Sequence, residues 1–173
     1  MATLSRSFDR LDAAVTGWMA NNGVQLLRLS LGGIFLWFGV LKFFPGLSPA
    51  LTLAGNTIAT LSFGLLSPQA AVLILAVWES LIGIGLISGV FLRATLLLLW
   101  LQMLGTITPL FLFPELCFTS FPLVPTLEGQ YIIKNAVLIS AGIVIGATVR
   151  GGRLTATRRA SDIAAPNRGA GVP

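Results

Sequence analysis

The stretch LAVWESLIGIG, residues 75–85, lies inside a run from Ala70 to Val90 in which Glu79 is the one charged residue. A run of about 20 apolar or small residues is long enough to cross the hydrocarbon core of a bilayer as an α-helix. A carboxylate in the middle of such a helix costs about 2.5 kcal/mol or more on insertion scales for comparable charges. The stretch therefore predicts a membrane-spanning helix and raises the question of what compensates Glu79.

The composition of the whole chain favours the same class of protein. Of the 173 residues, 55% are hydrophobic and 10% are charged, whereas a soluble domain has about 25% charged residues. We therefore expect an integral membrane protein in contact with membrane lipids. The net charge of +5 does not indicate nucleic-acid binding, because the basic residues form no patch interleaved with aromatic residues.

Histidine is absent from the chain, and Cys117 is the single cysteine. This excludes His-ligated haem, an iron–sulfur cluster held by several cysteines of this chain and the usual zinc sites. It also excludes an intrachain disulfide and a CxxC redox pair. We therefore expect no metal site and no covalently bound cofactor. Any redox chemistry would depend on a non-covalently bound molecule or on a partner chain.

Hydropathy along the chain predicts an all-α membrane protein with a bundle of four transmembrane helices over residues 24–150. Proline and glycine residues separate the apolar segments, and a short turn near Gly89–Arg93 makes the second and third segments an antiparallel hairpin. The four segments are Val24–Phe44, Ala70–Val90, Ala94–Phe113 and Tyr131–Val149.

Charge placement predicts the orientation of this bundle. Every arginine falls before the first segment or at its start, in the second-to-third turn, or after the fourth segment. Lys42, Lys134, Glu115 and Glu128 fall on the opposite side. Because cytoplasmic loops are enriched in basic residues, we expect both termini to be cytoplasmic in a multi-pass protein of a bacterial cytoplasmic membrane.

The two ends of the chain are predicted to lie outside the bundle. Residues 1–23 have apolar residues at helical spacing and predict an amphipathic helix on the cytoplasmic surface of the membrane, ending at Asn21-Asn22-Gly23. An ordinary packed helix before the membrane fits the same pattern. Residues 151–173 are rich in Arg, Ala, Gly and Pro and predict a disordered, basic cytoplasmic tail. The apolar positions of the helix are Leu4, Phe8, Leu11, Val15 and Trp18.

The two long connections on the outer side differ in their patterns. Residues 45–69 contain Leu51, Ala54, Ile58 and Leu61 at helical spacing and predict a short helix against the outer interface. The connection PELCFTSFPLVPTLEGQ, residues 114–130, contains three prolines and predicts an extended lid, because proline discourages regular structure.

Glu79 needs a cationic partner, a shell of hydrogen bonds or protonation if it is buried in hydrocarbon. Lys42 and Lys134 are the candidate cations, and Gln102 and Asn135 are candidate hydrogen-bond donors. One interpretation is a structural polar cluster that holds the bundle together. The other is a ligand or proton site in which Glu79 relays protons. Lys42 on its own also fits a membrane-interface anchor.

Trp37, Trp78 and Trp100 lie well inside their segments, although tryptophan is usually found at membrane interfaces. They fit simple filling of the core. They also fit an aromatic pocket for a flat ligand such as a quinone ring beside Glu79, with Trp37 and Trp78 as wall residues. Gly83, Gly85 and other small residues of the second and fourth segments predict close helix contacts.

Two stretches carry a family resemblance: LRLSLGGIFLWFGVLKFFPG, residues 27–46, and TLEGQYIIKNAVLISAGIVIGATVRGG, residues 126–152. Together with the residues between them, they resemble the DoxX-like membrane proteins. The resemblance implies a four-helix transmembrane bundle. The family includes a membrane subunit of a thiosulfate:quinone oxidoreductase and members linked to oxidative-stress defence.

Three functions follow as expectations. The first is a quinone-associated or partner-anchoring membrane subunit of a redox or oxidative-stress system, with Glu79, Lys42 and Lys134 in a polar site; whether it is an enzyme stays open. The second is a non-catalytic scaffold or assembly factor that recruits a protein partner or a second copy. A small-solute permease ranks last, because four short spans without inverted repeats leave little room for alternating access.

Overall fold

A computed structural model describes residues 2–44, 46–47 and 51–152, without the side chains of residues 2–7, 10 and 51. The tail expected to be disordered thus lies outside the described residues from residue 153 onward. Helices dominate the described part, with one small antiparallel hairpin. The elements are α1 (Ala2–Leu41), α2 (Leu51–Leu61), α3 (Pro68–Ser88), α4 (Leu92–Ile107), α5 (Pro109–Leu112), α6 (Pro114–Cys117), β1 (Phe118–Ser120), β2 (Val124–Pro125) and α7 (Leu127–Thr148).

Four helical segments are long and apolar enough to cross a membrane. They confirm the predicted integral membrane protein with a four-helix bundle, and three of them agree with the predicted boundaries to within a few residues. Their outward faces are apolar, as the exposed Leu81 and Ile84 of α3 illustrate. The segments are Leu11–Leu41, Pro68–Ser88, Leu92–Leu112 and Leu127–Thr148.

The ends of the spanning helices have identifiable local causes. Ser67 caps α3 by accepting a hydrogen bond from the Ala70 amide, and Pro68 occupies the first turn of the helix, where proline costs no hydrogen bond. Gly89 ends α3 with a φ of 74°, a left-handed conformation that favours glycine. A Cβ at Gly89 would also collide with the Arg28 guanidinium. Arg28 therefore lies against the α3–α4 turn.

Residues 2–41 form one continuous helix, so the helix end expected at Asn21-Asn22-Gly23 is wrong. The Asn22 side chain donates to the Trp18 carbonyl at 2.9 Å, and a glycine inside a helix costs only about 1 kcal/mol. Continuing the helix also avoids leaving backbone groups unpaired at the start of the span. The location of residues 1–23 at the membrane surface stays a prediction.

The tightly packed core lies in the half of the bundle next to the α3–α4 turn, which we call the turn half. All four spanning helices contribute buried side chains to it: α1 supplies Leu31, α3 supplies Ile82 and Leu86, α4 supplies Leu99, and α7 supplies Ile145. These interdigitated apolar side chains fix the relative positions of the helices in this half.

The most extensive helix contact among the described residues joins α1 to α3. A Cβ added to Gly39 would lie 2.7 Å from the backbone nitrogen of Ser80 and 3.0 Å from the Cβ of Glu79. Gly83 of α3 lies against the backbone of Leu36 in the same way. The prediction that Gly83 mediates close packing thus agrees with the contact, and Gly39 is its counterpart on α1.

The opposite half of the bundle, which we call the α2 half, is organised differently. Gly39 lies at the level of Ser80, and α1 ends at Leu41, far from the start of α3 at Pro68. The part of α3 between Pro68 and Glu79 is roughly 16 Å long at 1.5 Å per residue, and it extends beyond the end of α1. The short helix predicted in the connection 45–69 is present as α2, and its buried residues Leu53 and Thr57 cover part of this half.

The proline-containing connection before α7 is more regular than expected. Instead of an extended lid, it forms the short helix α6 and the β1–β2 hairpin, with Phe118 paired to Pro125. Proline at the first position of a helix is compatible with helical structure, which explains the helix beginning at Pro114. Cys117 is fully buried there, as expected for a small apolar side chain, and burial raises the pKa of its thiol.

The α1–α3 contact generates a prediction with a matched control. We expect Gly39→Ala to lower the free energy of unfolding by about 1–3 kcal/mol, because the added methyl group overpacks the helix interface. Gly33→Ala, on the same helix with no atom within 4 Å of the added Cβ, should leave stability unchanged or raise it. Thermal unfolding in detergent compares the two variants. Equal behaviour of the variants would contradict this packing.

Candidate functional site

An ion pair between α1 and α3 lies at the centre of the candidate site. The Nζ atom of Lys42 is 2.6 Å from Oε2 of Glu79, and each side chain is 11% exposed. Lys42 follows the last turn of α1, whereas Glu79 lies near the middle of α3. The close contact at Gly39 brings the two helices near enough for this pair to form. Lys42 therefore lies at the depth of Glu79.

Gln102 of α4 adds a third side chain to this pair. Its Nε2 atom donates a hydrogen bond to Oε1 of Glu79 at 2.8 Å. Both carboxylate oxygens of Glu79 thus have partners, one directly after α1 and one on α4. We call Lys42, Glu79 and Gln102 the polar triad. It links three of the four spanning helices through a single carboxylate.

The orientation of the Gln102 amide follows from its partner. The amide nitrogen of Gln102 is directed toward Glu79, and an ionised carboxylate, which only accepts hydrogen bonds, is compatible with this orientation. Its oxygen, Oε1, is then left buried without a hydrogen-bond partner among the described residues. A buried polar atom without a partner is uncommon in proteins and calls for an explanation.

A cavity of about 340 Å³ lies beside the triad in the α2 half. Gln102 lines it, together with side chains of α2, α3 and α7, whereas α1 contributes no lining residue among those described. The cavity lies where α1 has already ended and α2 covers the bundle. The other polar lining residues are Thr57, Thr106, Tyr131 and Asn135, and the apolar ones are Leu53, Ala54, Ile58, Leu61, Ile74, Leu75, Trp78, Leu101, Gly105, Pro109 and Ile132.

Several wall residues are held in place by hydrogen bonds. The indole nitrogen of Trp78 donates to the Leu98 carbonyl at 3.0 Å. Asn135 Nδ2 donates to the Thr106 hydroxyl at 3.3 Å, and that hydroxyl donates to the Met103 carbonyl at 3.0 Å. The wall therefore combines an apolar surface with a few oriented polar groups, which is the composition usual for small-molecule sites.

The structure does not bring every predicted site residue to this place. Lys134 is exposed, and its Nζ atom lies 5.7 Å from the centre of the Tyr131 ring. Lys134 follows Tyr131 by nearly one helical turn. The next residue, Asn135, is rotated by about 100° around the helix axis from Lys134, and it lines the cavity. Trp37 is 70% exposed on the outside of α1. The structure therefore does not bring Lys134 and Trp37 to Glu79 or to the wall of the cavity, and their role in binding stays a prediction.

Thr57 is a wall residue that the sequence analysis missed. It lies between the apolar positions of α2 and is 3% exposed, with its hydroxyl donating to the Leu53 carbonyl at 2.7 Å. Its position as a polar residue next to the apolar face of a short helix is the feature of the sequence that could have identified it as a wall residue.

The sequence model of the DoxX family matches residues 23–114. The chain belongs to the DoxX family. The match includes the polar triad and the α2, α3 and α4 walls of the cavity, whereas Tyr131 and Asn135 on α7 lie beyond it. No curated protein and no solved structure matches the chain.

In this DoxX-family chain, the polar triad can do two things chemically. It compensates the cost of a charge inside the bundle, because Glu79 has an opposite charge and a neutral donor. It also fixes Gln102 at the edge of the cavity. Glu79 and Lys42 do not line that cavity themselves, so a molecule bound there would contact the triad through Gln102.

The ion pair generates a prediction with a lysine control. We expect Lys42→Met to lower the free energy of unfolding by about 3 kcal/mol or more, because it leaves a buried carboxylate without its cation. Lys134→Met, at the exposed lysine, should change stability little. Chemical unfolding in detergent micelles measures both variants.

The double variant Lys42→Met/Glu79→Gln provides the internal check. It removes both charges, so it should recover at least half of the stability lost in Lys42→Met. A double variant as unstable as the sum of the two single variants would show that the residues do not interact.

Proposed function

We propose that this DoxX-family protein binds a quinone in the cavity of the α2 half and serves as a quinone-associated membrane subunit of a redox system. The observation that carries the proposal is the cavity of about 340 Å³ with Gln102 fixed at its edge by Glu79. Such a site would hold a flat, mostly apolar ring and orient it by a hydrogen bond.

The walls of the cavity support a lipid-soluble ligand. Trp78 offers an aromatic surface, and its indole nitrogen is already engaged with Leu98. Most other wall residues are aliphatic. A charged solute would lose its hydration in such a cavity without gaining polar partners. A ring compound with an apolar tail would not have this desolvation cost.

A redox partner follows from the composition of the chain. The sequence lacks histidine and has one cysteine, so electrons would reach a bound quinone from a partner subunit. The role predicted for Glu79 as a proton relay stays a prediction. It would require one carboxylate oxygen to leave Lys42 or Gln102, because each oxygen has one of them as partner. In the proposal, Glu79 first of all positions Gln102.

The proposed orientation rests on charge. Arg28, Arg93 and Arg150 lie at the end of the bundle with the α3–α4 turn, whereas Lys42 and Lys134 lie toward α2. We place the turn half toward the cytoplasm by the positive-inside rule, with both termini cytoplasmic in a bacterial cytoplasmic membrane. The cavity then lies in the outer half of the bilayer.

A partner-anchoring role is the second candidate function, and one observation favours it. The first part of α1 carries apolar side chains that the rest of the described chain leaves uncovered, including Phe8 (73% exposed), Leu11 (63%) and Trp18 (57%). A helix of 40 residues is about 60 Å long, twice the hydrocarbon thickness of about 30 Å. Part of α1 is therefore free to contact a partner or the membrane surface.

Blocking the cavity tests the quinone proposal. Gly105 lines the cavity, and a Cβ there would meet no atom within 4 Å, so Gly105→Leu should fill space without disturbing the backbone. We expect native mass spectrometry of protein extracted from its own membranes in mild detergent to detect a bound quinone mass. That mass should disappear in Gly105→Leu.

The matched control is Gly33→Leu, because Gly33 also has open space around its Cβ but lies on α1, away from the cavity. It should retain the bound mass. A mass that survives Gly105→Leu would contradict a site in this cavity. A second polypeptide without any small molecule would favour the anchoring role instead.

A further inference from the structure

We infer that α1 pairs with α1 of a second copy of this chain, in parallel, through an apolar stripe on the part of the helix that projects from the bundle. This inference names a partner for the anchoring role and does not depend on the quinone site. The juxtaposition that carries it is an exposed stripe with coiled-coil spacing on a helix that leaves the bundle without a break. The stripe residues are Phe8, Leu11, Val15, Trp18, Asn22 and Leu26.

The first step is the length of α1 beyond the bundle. Gly32 packs against Leu86 near the end of α3, and Arg28 contacts the α3–α4 turn at Gly89, so Arg28 marks the end of the bundle on that side. Because α1 begins at Ala2, roughly 39 Å of helix projects past this level at 1.5 Å per residue. The 21 residues of α3 already span a hydrocarbon layer of about 30 Å. The projecting residues 2–27, which we call the stalk, therefore lie outside the hydrocarbon.

The second step is that the described part of the chain leaves the stripe uncovered. The five apolar stripe side chains are between 46% and 73% exposed, and outside the hydrocarbon water would contact them. Burial of apolar surface is the main driving force for association in water. Leu31, which is buried against the bundle, is rotated by about 140° from Leu26 around the helix axis. Pairing through the stripe therefore leaves room for the two bundles.

The third step excludes the membrane surface as the cover of the stripe. A helix that crosses the bilayer and then lies on its surface must bend, whereas α1 is continuous from Ala2 to Leu41. Helices that lie on membranes usually have a polar face rich in lysine and arginine. Residues 8–27 instead contain two aspartates and one arginine, so this segment is not attracted to the anionic cytoplasmic leaflet. A protein surface is the better cover.

The fourth step identifies the partner as a second copy. From Phe8 to Asn22 the stripe residues follow one another at alternating intervals of three and four residues, which is the spacing of a coiled-coil seam. Two copies inserted in the membrane with the same orientation present their stalks in parallel, so that equivalent stripe residues meet.

Asn22 is the polar residue of the seam, and it fits a two-stranded pair. Its Nδ2 atom donates to the Trp18 carbonyl, which leaves one N–H and the side-chain oxygen for Asn22 of the partner subunit. A single asparagine at a core position typically specifies the register and the number of strands of a parallel coiled coil.

Disulfide cross-linking in isolated membranes tests the pairing. Cys117 is fully buried, so a cysteine introduced into the stalk is the accessible thiol. We expect Val15→Cys, in the stripe, to form a disulfide-linked dimer when a copper–phenanthroline oxidant is added. Ala13→Cys is the matched control, because Ala13 is also exposed but is rotated by about 160° from Val15. It should not form the dimer.

Charge insertion provides a second test in detergent. Leu11→Glu/Trp18→Glu places carboxylates in the seam, whereas Ala13→Glu/Ala20→Glu adds the same charge to exposed positions away from it. All four positions lie in the stalk, so the bundle should fold in both variants. Native mass spectrometry should find the unmodified protein and the control at twice the chain mass, and the stripe variant at the chain mass.

The outcomes separate this inference from the proposed quinone site. Equal cross-linking of Val15→Cys and Ala13→Cys, or a stripe variant that stays dimeric, would overturn the pairing. So would an unmodified protein at any mass other than twice that of the chain. A bound quinone mass in the same spectra tests the cavity separately, because the stripe variant leaves the cavity unchanged.

Discussion

The constraint on which this structure depends is that hydrocarbon cannot solvate a charge. Glu79 lies near the middle of a spanning helix, where no bulk water solvates a carboxylate. The other helices of the bundle must therefore supply its hydrogen-bonding and charged partners. Lys42 provides the opposite charge at 2.6 Å, and Gly39 allows α1 to approach α3 closely enough for that contact. The ion pair and the small-residue contact therefore require each other. An α1 helix held further away would leave both charges buried and unpaired.

The same arrangement shapes the space beyond it. Because α1 ends just past the level of Glu79, α3, α4 and α7 together with α2 line a partly open cavity in the α2 half. The turn half contains the packed apolar core, whereas the α2 half contains the cavity. Gln102 lies at the boundary. Its amide nitrogen donates to Glu79, and its amide oxygen is buried without a hydrogen-bond partner among the described residues.

Much of the architecture could be predicted from the sequence, because hydrophobic length alone identifies membrane spans. The need of Glu79 for a cation could also be predicted, but the choice between Lys42 and Lys134 could not. That choice depends on how α1 and α7 are rotated about their axes, which hydropathy does not determine when a helix is apolar on most sides. The same ambiguity explains Trp37, which lies on the outside of α1. A pocket beside Glu79 with Trp78 in its wall could be proposed from the sequence, but its position could not, since it depends on where α1 ends relative to α3.

The Lys42–Glu79 contact can be measured directly in a lipid bilayer by solid-state NMR. The lysines of the chain are Lys42 and Lys134, and its glutamates are Glu79, Glu115 and Glu128, so ¹⁵Nζ-lysine and ¹³Cδ-glutamate labels give very few signals. Dipolar recoupling should dephase one of the two lysine signals strongly, and Glu79→Gln should remove that effect. If neither lysine signal dephases, or if the dephasing survives Glu79→Gln, the ion pair is absent and this account of the bundle is wrong.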